Sequence, residues 1–372
     1  MNRRIMTIPT KPVLQTDDNY SGRALLGGGD ALCDNRGRFS EQAPDRIAMA
    51  PLLPAKVIEK SVVGKDVCAF TLAPLEGSFP PARPGAHIDV HLPDGSVRQY
   101  SLTRAARPGE TTQPTYEIAV LREANGRGGS AAMCDAVRAG DEVRISPPRN
   151  NFELEADKPF YLLLAGGIGV TPLLAMAREL HARKADFQLH VCARTPDHVA
   201  FYDDLRQGAL RDRAVFHFSE TAPSSRLDLS VLLSAAPDGA QVYACGPQRF
   251  LAAVDDITCG WPVGRVRKER FSADPDTTAP EEGGVFSVRL ARSAIEIEVP
   301  ANKSLLEALN DAGVKTESSC REGVCGTCVA PVLSGDILHR DACLYDEEKA
   351  ANTAIACCVS RGKPGATLVL DL

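Results

Sequence analysis

At 372 residues the chain exceeds one ordinary hydrophobic core, so two or three domains are expected. Its 42 Lys and Arg against 48 Asp and Glu leave a mildly acidic balance, which supplies neither the basic footprint of a nucleic-acid binder nor a polybasic membrane patch. No stretch approaches the roughly 18 apolar residues of a membrane span, the longest run, Phe160 to Ala165, ending at glycines; the expectation is a cytoplasmic protein.

Residues 1–48 carry Arg3 and Arg4 but no apolar core of a signal peptide, and Gly27, Gly28 and Gly29 interrupt them. They read as a mobile extension or, because Met49 directly precedes the first strand-like segment, as the product of an upstream start. Residues 49–152 hold short extended pieces, Ala55–Ile58, Val67–Leu72, His87–Leu92, Glu117–Val120 and Glu142–Ile145, separated by turn chemistry such as Pro93-Asp94-Gly95. That spacing predicts a small antiparallel β-barrel. Residues 153–272 alternate helical stretches with continuous apolar strands, Phe160–Ala165, Gln188–Ala193, Ala214–Phe218 and Gln241–Ala244. Strands covered on both faces read this way, so an α/β domain with a parallel sheet is expected.

Residues 273–284 are rich in acids and turn formers without hydrophobic periodicity, as in a linker. Residues 285–372 open with a predicted hairpin, Val285–Leu290 with Ala294–Val299, and a helix from Leu305 to about Ala312, an α+β pattern. Ser304 and Glu307 form a capping box and Gly313 stands where the helix should end. No internal repeat is present.

Twelve cysteines in so large a chain with no export signal do not argue for a disulfide framework. Six are scattered between Cys33 and Cys259 and read as core filler, whereas six crowd between Cys320 and Cys358. Cys320, Cys325 and Cys328 have the C-x4-C-x2-C spacing of plant-type ferredoxins, where four thiolates hold a 2Fe-2S cluster. A tight loop must aim its N–H groups at the sulfurs, and Gly323 and Gly326 supply the conformations this needs. Cys343, Cys357 and Cys358 compete to be the fourth ligand. Zinc, the alternative for clustered cysteines, more often takes two separated C-x2-C pairs, and no histidine in the loop suits a Rieske centre.

After Phe160–Ala165 comes Gly166-Gly167-Ile168-Gly169-Val170-Thr171-Pro172, with Thr171 the expected N-cap and Pro172 in the first turn of a helix. Glycines before a helix N-terminus let the backbone approach a pyrophosphate. The loop lacks the GxGxxG spacing of the common dinucleotide fold. In the barrel, Arg98-Gln99-Tyr100-Ser101-Leu102 lies on a strand, where alternation puts Arg98 and Tyr100 on one side. Arginine offers a fixed fork to a phosphate. Gly126-Arg127-Gly128-Gly129-Ser130 precedes a second helix, Ala131 to Val137, and is another anion-binding start.

Together with Tyr243-Ala244-Cys245-Gly246-Pro247, these motifs resemble the ferredoxin-NADP reductase superfamily. The resemblance implies that Arg98, Gly128, Gly129 and Ser130 hold a flavin phosphate, that Tyr100 packs on the isoalloxazine, and that Ser101 bonds near its reactive nitrogen. It also implies that Gly166, Gly167, Gly169, Thr171 and Pro172 take the nucleotide, that Cys245, Gly246 and Pro247 border the nicotinamide with Cys245 catalytic beside Ser101, and that Phe271 stacks on the flavin. The alternative for Phe271 is the last core residue before the linker. Arg194 and Asp197 after the second strand pull opposite ways on NADPH, and NADH rests on the resemblance.

The order of flavin barrel, nucleotide domain and C-terminal ferredoxin-like (β-grasp) 2Fe-2S domain resembles the phthalate dioxygenase reductase and vanillate demethylase reductase family from about Ala50 to Leu372. That resemblance favours Cys358 as the fourth ligand and implies FMN as the flavin and NADH as hydride donor. A Rieske non-haem iron oxygenase is the implied acceptor. A haem monooxygenase partner, or a flavin-free 2Fe-2S carrier or redox sensor, are the alternatives.

Overall fold

The computed structural model describes residues 51–92, 95–104, 115–124, 128–221, 226–272 and 284–372. The expected extension, the Pro93-Asp94 part of the turn, Gly126-Arg127 and linker residues 273–283 lie outside them.

The first part contains β1 (Leu53–Gly64), β2 (Val67–Pro74), β3 (His87–His91), β4 (Val97–Arg104), β5 (Tyr116–Leu121), α1 (Gly129–Ala136) and β6 (Glu142–Ile145). Its strands close into an antiparallel barrel in the order β1-β2-β5-β4-β3-β6. Two bulges bend β1 round the barrel, at Val57/Glu59 and Val62/Gly64. Val57, Phe70, Ile88, Leu102 and Ile118 fill the interior.

The second part contains β7 (Tyr161–Gly166), α2 (Val170–Ala182), β8 (Phe187–Ala193), α3 (Tyr202–Gln207), β9 (Ala214–Phe218), α4 (Leu229–Ser234), β10 (Gln241–Cys245), α5 (Gln248–Thr258) and β11 (Val266–Glu269). The sheet is parallel, in the order β11-β10-β7-β8-β9. Both faces of β7 are covered: Leu163 and Ala165 pack with α2 residues Leu173 and Ala177, while Leu162 and Leu164 pack with Leu233 of α4 and Leu251 of α5. That is why the strand reads as an unbroken apolar run. The chain leaves β7 toward β8 and β9 and then returns to its other side for β10, so a crevice opens at the strand ends between β7 and β10, the usual ligand position in such sheets. Arg178 of α2 docks this part on the barrel, donating to Thr103 O and Glu117 Oε1, both at 2.9 Å.

The third part contains β12 (Phe286–Leu290), β13 (Glu296–Val299), α6 (Leu305–Asp311), β14 (Val329–Ser334), β15 (Ile337–Leu338), α7 (Asp346–Ala351), β16 (Ala354–Ala356), β17 (Arg361–Gly362) and β18 (Thr367–Leu370). A sheet ordered β13-β12-β18-β14-β16 is packed by Leu305, Leu306 and Leu309 of α6. The capping box forms as expected, Ser304 N donating to Glu307 Oε2 at 2.8 Å and Glu307 N to Ser304 Oγ at 3.2 Å. Gly313 takes φ +80° just past the helix. Buried Arg361 of β17 donates to the carbonyls of Lys303, Gly284 and Pro300 and lies over the Phe286 ring, tying β17 to the paired ends of β12 and β13.

Two expectations need correction. Thr171 is not the cap of α2: a 3-10 turn, Gly167–Gly169, leads directly into the helix, Gly169 stands at the N-cap, and Thr171 Oγ1 instead donates to Ile168 O at 3.0 Å. The scattered cysteines are not uniformly core filler: Cys134 and Cys245 are buried and Cys68 packs partly buried on the barrel core, Cys192 is half-buried, but Cys259 is exposed, and Cys33 lies outside the described residues.

Candidate functional site

One cleft, partly open to solvent, is bordered by all three parts of the chain. It wraps round β4, so Arg98 and Tyr100 from one face and Gln99 and Ser101 from the other all line it. Arg98 lies flat on the start of α1, where a Cβ at Gly129 would run into its guanidinium. Gly128 caps that helix at φ +84° with no side chain bonded to the first turn, so the initial N–H groups and the helix dipole stand beside Arg98 as a phosphate cradle. Burial pushes the Tyr100 phenol above its ordinary range, and its OH has no partner among the described residues. Phe271 is 44% exposed at the cleft wall. A planar ligand with a phosphate tail suits this set.

The same cleft holds a carboxyl. Glu269 ends β11 opposite Cys245 of β10, and its Oε2 lies 3.5 Å from Ser101 Oγ. Burial pushes Glu269 up to about 8, with the Ser101 bond opposing; near neutral pH the carboxyl is therefore largely protonated and can donate as well as accept. His87, opposite Ser101 on β3, is pushed down to about 4, first by burial and then by the Arg149 guanidinium, so its imidazole is neutral.

At the crevice between β7 and β10 the two glycine-bearing loops press backbone on backbone. A Cβ at Gly169 would strike the Cys245 carbonyl, and one at Gly246 would meet Gly166 Cα. Gly167, by contrast, has φ +56° and open space before it. Only this glycine faces outward as a phosphate-binding loop requires; the others permit the close packing that shapes the crevice.

In the third part, Cys320 and Cys325 stand thiol to thiol, and so do Cys328 and Cys358. No three of the described His, Cys, Asp and Glu side chains converge as round a single ion. Two pairs suit two irons, each completed by bridging sulfides. Backbone N–H groups aim at the sulfurs, Glu322 N lying 3.3 Å from Cys320 Sγ. The hydrogen bond from Cys320 pulls the Cys325 thiol down to about 5 against burial, with Thr327 Oγ1 assisting at 3.1 Å. Gly323 and Gly326 take φ +72° and +71°, the turns expected of them. Cys357 and Cys343 point elsewhere: the first is fully buried with Sγ toward Ile355 O, the second lies beside Asp341.

Known proteins share this arrangement. Residues 288–361 match the family model of a 2Fe-2S iron-sulfur cluster binding domain, and residues 163–256 that of an oxidoreductase NAD-binding domain. A vanillate O-demethylase oxidoreductase of a Pseudomonas species is 42% identical over 314 residues, 84% of this chain and 97% of the relative. The solved phthalate dioxygenase reductase is 39% identical, with a TM-score of 0.61 over 86% of this chain and 98% of that one. The chain belongs to the phthalate dioxygenase reductase family. It is an NADH-dependent flavin and iron-sulfur oxidoreductase. An intact type IV self-sufficient cytochrome P-450 monooxygenase also superposes, at 34% identity and TM-score 0.79 over 86% of this chain, which spans 41% of that protein.

Against this phthalate dioxygenase reductase fold, the flavin and nucleotide residues expected from sequence lie in different places, Gly128 at the α1 N-cap and Pro172 buried in the first turn of α2. Arg98, Tyr100, Ser101, Gly129, Ser130, Thr171 and Phe271 meet at the cleft, so Phe271 is not a core residue. Gly166, Gly167, Gly169, Gly246 and Pro247 gather at the neighbouring crevice. Cys245 and Arg194 line neither wall of the cleft: Cys245 is fully buried in the sheet core with its thiol pushed far up by burial and then Glu269, and Arg194 is exposed beyond β8. Glu269 and His87 were missed. A carboxylate directly before Arg270-Phe271 at a strand end was the available signal for the first; nothing local marked the second.

Proposed function

We propose that this chain is the reductase component of an oxygenase system, delivering electrons from NADH to a Rieske non-haem iron oxygenase that demethylates or dihydroxylates a small organic molecule. The observation that carries the reading is the shared cleft, where Arg98 to Ser101, Thr171, Glu269 to Phe271, and Val324 with Cys325 border one space. When bound, FMN turns a hydride into single electrons and a 2Fe-2S cluster carries them onward.

The residues supply placement. Arg98 and the α1 N-terminus would hold the flavin phosphate, Tyr100 and Phe271 would pack on the ring, and Ser101 with Glu269 would bond its polar edge. Gly167 and the start of α2 take the NADH pyrophosphate, with Gly246 and Pro247 closing the crevice beside it; buried Cys245 acts by packing that turn. Cys320, Cys325, Cys328 and Cys358 are the cluster ligands, in the pairs described above. Domain order supports FMN over FAD, and free thiols in this number suit the reducing cytoplasm.

Purified protein should show flavin and cluster absorbance together, release FMN on denaturation, and lose both bands when NADH is added without oxygen. A protein with a cluster but no flavin would instead be a carrier or sensor and would sink this reading. A haem monooxygenase acceptor is the second reading, favoured by the superposition on a chain that carries its own haem enzyme; reduction of a haem acceptor in preference to a Rieske centre would establish it.

A further inference from the structure

The face of β3 and β4 turned away from the barrel core meets the cysteine loop. Antiparallel register sets His87 opposite Ser101 and Asp89 opposite Gln99, so these side chains share one surface. His87 borders the cleft, and its ring reaches the backbone of Cys325. Gln99, the unassigned position of the Arg-x-Tyr-Ser motif, donates through Nε2 to Asp89 Oδ1 at 3.0 Å and to Ser319 Oγ at 2.5 Å. Behind them Arg149 lies 2.7 Å from Asp89 and exchanges backbone bonds with His87, at 2.8 and 3.0 Å. Asn151 Nδ2 donates to Cys325 O at 2.9 Å, which Gly326 permits because a Cβ there would meet the Asn151 side chain.

We propose that this face is a built dock for the cysteine loop, with His87 and Gln99 as positioning residues that hold Ser319 to Cys325 at a fixed reach from the flavin cleft. The proposal rests on the flavin and cluster reading above. His87 and Asp89 are only 5% and 4% exposed; Asp89 is held by Gln99 and Arg149, while His87 Nε2 has no partner among the described residues, and buried polar contacts that form in one register select position more than they add adhesion. Position matters here because electron transfer weakens steeply with separation. Each transfer removes one electron from reduced flavin and adds one to the oxidised cluster; His87 and Gln99 gain and lose neither electron nor proton.

The test mixes the holoprotein with NADH anaerobically, follows the flavin and cluster bands separately, and in parallel measures hydrogen exchange at residues 319–326. Ser319→Ala removes Gln99's partner and His87→Ala removes the ring. Each should lower the ratio of cluster to flavin reduction rates by about tenfold, since loosening a reacting pair by roughly 1 Å can cost still more, and should speed loop exchange. His87→Gln, whose amide still reaches a backbone carbonyl, should recover most of the loss. Ratios within about twofold of the parent in both alanine variants, or unchanged exchange, overturn the proposal. Should His87→Ala fail to fold or lose flavin, Ser319→Ala decides alone, because Ser319 lies outside the cleft. Exchange is readable with or without flavin, so a flavin-free chain would sink the functional reading while loop protection still judged the dock.

Discussion

Glu269 is the residue whose surroundings most change its chemistry. Its carboxyl is pushed up to about 8 by burial, only partly offset by Ser101. The folded protein thus holds this proton more tightly than the unfolded chain does. Its contribution to stability is full below the ordinary carboxylate range, is lost as pH rises through about 8, and stays lost above. Glu269→Gln, neutral at every pH, should remove that dependence. Melting curves from pH 5 to 9 should show the parent losing roughly 2 kcal/mol relative to the variant, a figure reduced for solvent screening. Parallel curves for the two proteins would mean that the carboxyl titrates normally.

Among elements, the turn after β16 supports the proposal that Cys358 is the fourth ligand. Cys357 N donates to Cys328 O at 3.1 Å, and Cys357 O accepts from Leu306 N of α6 at 2.8 Å. With its backbone held between strand and helix, Cys357 turns its side chain into the core and the next residue points the other way, toward Cys328. Cys358→Ser should abolish or destabilise the cluster absorbance, whereas Cys357→Ser and Cys343→Ser should leave the spectrum intact; the measurement is iron and sulfide content beside the visible spectrum. The helix and strand elements were legible in sequence because buried parallel strands and a capping box leave local marks, as β7 and Ser304 show. Glu269 and His87 were not, because each acquires its role only when β11, β3 and β4 are brought to one cleft, and no spacing along the chain encodes that meeting. Gly169 was legible as a loop glycine but not as a packing one, since its partner is the Cys245 carbonyl from another strand.

At the scale of the molecule, the third part is also latched to the second. Arg267 of β11 donates to Glu155 Oε1 at 3.1 and 3.2 Å and to Glu347 Oε2 at 3.2 Å, and its guanidinium lies 4.0 Å over the Tyr345 ring. Tyr345 OH in turn donates to Asn151 O at 2.7 Å, the residue whose amide holds Cys325 O. One cation therefore joins the segment after the barrel, the nucleotide sheet and the start of α7. The Arg267 side chain is 17% exposed but its carboxylate partners are 32% and 40% exposed, so solvent screens these pairs in part. Removing it leaves Glu155 paired with Lys158 alone, takes the guanidinium from Glu347 and frees the ring, a loss of about 2 kcal/mol in the coupling between parts. Calorimetry of Arg267→Ala should show the iron-sulfur domain melting ahead of the rest, where the parent melts in one transition. Arg267→Lys should behave nearly as badly, because an ammonium can neither fork to two carboxylates nor lie flat on the ring; full rescue by lysine would reduce the latch to simple charge.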